Sequence, residues 1–340
     1  MKTVVTGGAG FIGSHMVDLL VDRGFHVVVI DNLSTGRLEN LKQHRDNPQV
    51  DIHQTDMCLL TPDCPWFAGA DYVFHFGGIG DIVPSIERPL EYMRANMNGT
   101  LATLEAARHA RVRKFVYAGS SSCYGASPDV PTSEDAPVEP EYPYALSKYL
   151  GECAVLHWGK VYRLPVVSIR MFNIYGPRSR TGGVYGAVFG VFLAQKVKGQ
   201  PFTVVGDGTQ TRDFVYVTDV TQAFLLAAES ACANEVFNLG AGRPQSVNRL
   251  VELLGGRVVH VPKRPGEPDC TWADIRKIRE RLGWTPKVSF EDGVATMLEH
   301  IADWANAPVW TAASIEAVTR TWFRYLSPEA SGGQVVIDES

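Results

Sequence analysis

Tyr144 and Lys148 stand four residues apart in the segment YPYALSKYLGE. On a helix that spacing sets both side chains on one face. A phenol titrates near 10 in water, and a neighbouring cation favours its ionised form. The pair therefore reads as a tyrosine base with a lysine beside it. Tyr-x-x-x-Lys is also common on ordinary amphipathic helices, so its weight comes from what lies upstream. There the strand-like run KFVYAGS ends in Ser120-Ser121-Ser122, followed by Cys123-Tyr124-Gly125. Hydroxyls at the C-terminal end of a strand in a doubly wound sheet stand where ligands bind. Ser120 or Ser121 is expected to hydrogen-bond a reacting oxygen, and Ser122 to do no more than cap a turn.

A second constellation is VVTGGAGFIGSH, with Gly7, Gly10 and Gly13 between a strand and a helix. Glycine there permits a tight turn and lets backbone N–H groups approach a pyrophosphate, with the helix N-terminus supplying an electropositive end. Glycine triplets also make plain flexible turns. Here the second strand ends at Asp31, whose carboxylate accepts hydrogen bonds from a ribose 2′-hydroxyl and repels a 2′-phosphate. The reading is a dinucleotide site for NAD rather than NADP. Arg37 is near but falls at an expected helix start.

Elements must position these groups. Residues 3–5, 26–30, 72–76, 114–118 and 165–169 read as buried strands, and residues 12–23 and 92–110 carry helical periodicity. Such alternation implies right-handed βαβ units and a parallel sheet covered on both faces. The expected fold class is α/β: a Rossmann-type doubly wound parallel sheet with a smaller C-terminal α/β substrate lobe. We assign residues 1–176 to the dinucleotide domain, with later segments returning to it, 177–326 mainly to the substrate lobe, and 327–340 to a polar tail. A Gly-rich stretch at 181–190 and a strand at 202–205 belong to the lobe.

The charge of -5, from 32 Lys+Arg against 37 Asp+Glu, argues against a nucleic-acid binder. Six scattered cysteines contain no CxxC pair and no Cys/His cluster, so neither a metal site nor a disulfide framework is expected. No apolar run reaches the ~18 residues of a membrane span. The chain enters a strand directly after Met1, with no signal peptide, and a cytoplasmic protein is expected.

The glycine loop, the serine cluster before Tyr124-Gly125 and Tyr144-x-x-x-Lys148 together resemble the extended short-chain dehydrogenase/reductases. Within them the chain is similar to the nucleotide-sugar epimerase/dehydratase family. Further segments carry the likeness, to about Leu298: HFGG (75–78), NMNGT (96–100), RMFNIYGP (170–177), GDGTQTRDFVYVTD (206–219) and RPGEPDCTWAD (264–274). The resemblance implies that Gly7, Gly10, Phe11, Ile12 and Gly13 hold the NAD pyrophosphate, while Asp31 and Asn32 hold its adenosine ribose. Asp56 and Met57 would flank the adenine, and Phe76, Gly77, Gly78 and Asn96 would line the cofactor. Tyr144 would be the base, with Lys148 also on the nicotinamide ribose. Ser120 matches the catalytic hydroxyl, with Ser121 its neighbour in that role. Asn173, Arg212 and Arg264 match residues that grip a sugar nucleotide's diphosphate, and Glu267 a contact to its ribose. One departure is Gly80, where some epimerases carry a lysine near the cofactor. A homodimer joined through residues 92–110 and 144–162 is also implied.

The resemblance leaves several reactions open. Dehydratases of the family place Asp-Glu three and two residues before the motif tyrosine; here those positions are Ser121 and Ser122. Decarboxylating relatives also tend to carry glutamate in the second. The expectation is therefore 4-epimerisation of a nucleotide sugar, a UDP-sugar foremost, making the chain an isomerase. A 4,6-dehydratase or related modifying enzyme is the alternative, and an NAD-sensing binding protein the non-enzymatic one. Thr271 takes the position that borders the sugar's C2 substituent in the family. With no large aromatic ring there, N-acetylated hexoses are expected to fit, unless Ser85 or the stretch near Val184 sets selectivity.

Overall fold

The computed structural model describes residues 1–126, 129–179, 187–263 and 267–326. The chain opens with β1 (Lys2–Thr6), α1 (Phe11–Asp22), β2 (His26–Asp31), β3 (Val50–Gln54) and β4 (Tyr72–His75). Two short helices, α2 (Ile82–Glu87) and α3 (Pro89–Met93), lead through a π-helical turn (Arg94–Asn98) into α4 (Gly99–His109). Next come β5 (Lys114–Ser120), α5 (Pro143–Tyr162), β6 (Val166–Met171) and β7 (Asn173–Tyr175). The middle of the chain supplies α6 (Val188–Val197), β8 (Phe202–Val205), β9 (Thr211–Arg212), β10 (Phe214–Tyr216) and α7 (Val217–Glu229). The remainder is β11 (Glu235–Leu239), β12 (Gln245–Ser246), α8 (Val247–Leu254), β13 (Val258–Val261), α9 (Arg276–Leu282), α10 (Phe290–Glu299) and α11 (Ala312–Leu326).

Seven strands form one parallel sheet in the order β11-β6-β5-β4-β1-β2-β3. Successive residues point to opposite faces, and both faces are buried, which is why the strands read as unbroken apolar runs. Val4, Val28 and Ile30 pack with Leu104 of α4 and Val155 of α5. Val5, Val27 and Val29 pack with Met16 of α1 and Phe224 of α7 on the other side. The strand order reverses between β1 and β4, and the crevice beyond their C-terminal ends is the ligand position of such sheets.

Two elements differ from the sequence expectation. β3 is an edge strand in which only Val50 is buried, so its polar sequence VDIHQ carries no apolar signal. The helix expected over 92–110 is broken by the π-helical turn, a feature common near functional sites.

A second core gathers Phe189, Phe192, Phe202, Phe214, Met297 and Trp304 from α6, β8, β10, α10 and a 3₁₀ turn. It sits beside the sheet's C-terminal edge and supplies the opposite wall of a cleft. No helix among the described residues is long and apolar enough to cross a membrane.

Candidate active site

A cavity of about 260 Å³ opens along the ends of β1, β2 and β4. The glycine loop forms its floor: Gly7, Gly10, Phe11, Ile12 and Gly13 all line it. Gly7 has φ +69°, and a side chain there would meet the Gly77 backbone at 2.8 Å. At Gly13 a Cβ would lie 2.1 Å from the Gly7 carbonyl oxygen, so loop and helix close only without one. Asp31 and Asn32 line the next stretch. Asp31 is buried and accepts hydrogen bonds from the Ala9 and Leu33 N–H groups, at 3.0 and 2.8 Å. Burial raises its pKa, and those two N–H bonds oppose the rise. Each of its oxygens keeps a lone pair for a further donor. Asp56, Met57, Phe76, Gly77 and Gly78 complete the lining. Asp56 also caps the turn at Cys58 (2.9 Å) and pairs with Arg94 at 2.8 Å.

This donor set fits NAD: a side-chain-free cradle at a helix start for the pyrophosphate, with a carboxylate where the ribose falls. Arg37 is not among the lining residues; it precedes a 3₁₀ turn (Leu38–His44) rather than an α-helix. Gly80 has open space where a side chain would begin, and its carbonyl accepts from the Tyr92 hydroxyl at 2.5 Å.

The larger cavity, about 470 Å³, lies between the sheet edge and the second core. Tyr144 and Met171 line both cavities, so the phenol stands where the two meet. α5 brings Tyr144 there on its first turn, with Pro143 at the start of the helix. The Tyr144 hydroxyl donates to Ser120 Oγ over a long 3.4 Å. Ser120 Oγ also accepts from the Ser122 N–H at 3.2 Å and lies 2.7 Å from Ser122 Oγ. The turn cap is therefore Ser120 rather than Ser122, and all three serines line the larger cavity.

Lys148 lines the smaller cavity one turn further along α5. Its ammonium sits 4.4 Å from the centre of the Tyr117 ring, a cation–π contact. Burial lowers its pKa to about 7, opposed by Glu152. Burial raises the pKa of Tyr144, opposed by the Ser120 hydrogen bond, with the Asp81 charge adding to the rise. The lowering of the phenol expected from Lys148 is thus not produced by the protein's own groups: burial sets the direction, and the Ser120 hydrogen bond is what opposes it.

Asn173, Arg212, Glu267 and Thr271 all line the larger cavity. Arg212 pairs with Glu267 at 2.8 Å, and Thr271 donates to Asn173 Oδ1 at 2.7 Å. Asp213 organises this wall by accepting from the Ala241, Gly242 and Ala273 N–H groups.

Two expected contacts do not line these cavities. Ser85 is fully buried and its hydroxyl turns back to the Ile82 carbonyl at 2.6 Å, while Ile82 and Val83 form the wall instead. Asn96 does not line the cofactor cavity. Its amide donates to the Ile79 carbonyl and Ser147 Oγ and accepts from the Ile79 N–H, so it holds the loop after β4 in place. Arg264 and residues 181–186, Val184 included, lie outside the described residues.

The model of the NAD dependent epimerase/dehydratase family matches residues 3–240. The chain belongs to that family. A UDP-glucose 4-epimerase of Mycolicibacterium smegmatis is 36% identical, over 88% of this chain and 98% of its own length. A dTDP-glucose 4,6-dehydratase of Streptomyces niveus is 32% identical, over 89% of this chain and 93% of its own. The crystal structure of UDP-glucose 4-epimerase from Thermotoga maritima, with UDP-glucose, is similar at a TM-score of 0.82 and 35% identity. That likeness covers 89% of this chain and 99% of the other.

Behind the epimerase/dehydratase site lies a polar network that the sequence reading missed. Glu152 stands four residues after Lys148 and pairs with Arg170 of β6 at 2.6 Å, both buried. Arg170 donates to the Tyr124 hydroxyl (2.7 Å), which donates to Asn238 of β11 (2.7 Å). The turn bearing the serines is thereby tied to β6, β11 and α5. Breaking such a buried pair costs about 3–5 kcal/mol. The continuation of the 144/148 stripe to Glu152 was the available signal. Tyr142, Glu141, Asp81 and Trp322 also line the larger cavity and were not anticipated.

Proposed function

We propose that this chain catalyses NAD-dependent 4-epimerisation of a UDP-sugar, with the sugar nucleotide in the larger cavity. The observation that carries the reading is the position of Tyr144, which lines both cavities at their junction. When bound, NAD supplies the reversible two-electron oxidation that turns the C4 alcohol into a ketone and back. Tyr144 accepts the proton of the 4-hydroxyl and returns it, and Ser120 holds the same oxygen. Their 3.4 Å separation suits an oxygen seated against both. Lys148 bonds the nicotinamide ribose and adds positive charge near the phenol. Gly7, Gly10, Phe11, Ile12 and Gly13 hold the pyrophosphate, Asp31 and Asn32 the adenosine ribose, and Asp56 and Met57 the adenine. Arg212, with Asn173, grips the substrate diphosphate, since a guanidinium fork matches phosphate oxygens. Glu267 faces the nucleotide's ribose. The 4-keto sugar turns within the cavity before it is reduced from its other face.

A dehydratase needs a further acid and base. Ser121 and Ser122 occupy the positions of the usual carboxylates, which favours simple oxidation and return. Asp81 and Glu141 line the same cavity, so 4,6-dehydration is the second reading. The intact Ser/Tyr/Lys set counts against a purely NAD-sensing protein. The small Thr271 accords with acceptance of 2-acetamido sugars. A homodimer through α4 and α5 accords with the exposed Leu90, Leu146, Val161 and Tyr162 on and beside them. A cytoplasmic setting accords with the six cysteines, all free thiols.

The test is Tyr144→Phe. Turnover of UDP-glucose and UDP-N-acetylglucosamine should be lost, while calorimetric NAD affinity stays near wild type. A variant that turns over near the wild-type rate removes Tyr144 from the role of base.

A further inference from the structure

One wall of the larger cavity comes from α11, beyond the residues that the family model matches. Ile315, Thr319 and Trp322 are the buried residues of that helix, four and three positions apart and hence on one face. α11 packs against α2, and the Thr321 hydroxyl donates to Glu87 at the end of α2, at 3.2 Å. Trp322 is only 5% exposed, yet it lines the cavity. Its ring centre is 6.5 Å from that of Tyr142. Tyr142 stacks in turn on Tyr144, with centres 6.4 Å apart and planes within 11°. An aromatic series Tyr144–Tyr142–Trp322 thus runs outward from the reacting corner. The Arg212–Glu267 pair comes from other elements of the lining, β9 and the segment after β13.

We propose that Trp322 contacts the sugar ring and sets which sugars the site holds, with α11 as the closing wall of its sugar end. The proposal rests on the nucleotide-sugar reading above. An indole presents a flat apolar face that suits the C–H bonds of a pyranose and excludes water from the ketone stage. Because α11 is held against α2 and the largely buried ring lies beside Tyr142, it meets the sugar without being ordered first.

The test compares UDP-glucose with UDP in the full-length, NAD-loaded protein by calorimetry, for wild type, Trp322→Ala and Trp322→Phe. In Trp322→Ala, affinity for UDP-glucose should fall roughly tenfold, the equivalent of one lost aromatic contact, while UDP affinity stays unchanged. Trp322→Phe should lie between. Equal loss for UDP and UDP-glucose would mean that Trp322 merely anchors α11, and no loss for either would mean that it touches no substrate; both outcomes overturn the proposal. Should the alanine variant fail to fold, Trp322→Phe decides alone: unchanged UDP-glucose affinity in it overturns the contact. Failure of wild type to bind UDP-glucose or UDP would instead strike the underlying functional reading, and is distinct from either result.

Discussion

Lys148 illustrates how burial works against a charge that the chemistry needs. A lysine held at a pKa of about 7 is penalised relative to its unfolded value of 10.5. Below pH 7 it is protonated in both states, and folding bears the whole cost. Between 7 and about 10.5 only the unfolded chain holds the proton, so the cost fades as pH rises. Lys148→Met should therefore melt higher than wild type at pH 6, by at least ~2 °C, with the gap narrowing toward pH 10 and activity lost. Melting curves across that range check it, and a gap that widens with pH would contradict the assignment. Thr271 makes a second prediction at this scale. Its hydroxyl is fixed to Asn173, and it lines the larger cavity. Thr271→Tyr should depress kcat/KM for UDP-N-acetylglucosamine more than for UDP-glucose, by about tenfold or more, as steady-state assays on both sugars will show. The residues that the sequence made legible were those whose spacing is local, such as Tyr144 with Lys148 and the glycine loop. Ser85 and Asn96 turn to Ile82 and Ile79 instead of lining the cavities, hydrogen bonds that the fold fixes and a motif does not record.

At the level of elements, the site is built where strands end. Thr6, Asp31, His75, Ser120 and Met171 close β1, β2, β4, β5 and β6 at one edge of the sheet. His75 is fully buried there, bonded on both ring nitrogens to Thr6 and Thr100, and burial lowers its pKa to about 3. It stays a neutral cross-link between β4, β1 and α4 rather than a proton carrier. The β1–α1 turn tolerates no side chain at Gly13. Gly13→Ala should push the loop from Gly7, weakening NAD binding at least tenfold while leaving the secondary structure in place. Calorimetry with NAD and circular dichroism check the two halves. The central strands and α1 were readable from their apolar patterns, and α5 from the four-residue spacing of Tyr144 and Lys148. β3 was not, since an edge strand with one buried residue has no pattern to read. Nor was the π-helical break before α4, within which Asn96 bonds the loop after β4.

The molecule as a whole sets a sheet edge against a second core, with Tyr144 at the meeting of two cavities. The lining of the larger cavity came from sequence-distant pieces, among them Glu141, Thr271 and Trp322, and their convergence is a tertiary fact that spacing along the chain does not encode. A site that borrows and returns the same two electrons leaves its cofactor unchanged after each cycle. The most direct measurement incubates the purified, NAD-loaded protein with UDP-glucose or UDP-N-acetylglucosamine and resolves the sugar nucleotides by mass and proton NMR. The account predicts a product of unchanged mass, inverted at C4, with no growth of NADH absorbance. A product lighter by one water, or NADH rising in step with sugar consumed, would contradict it.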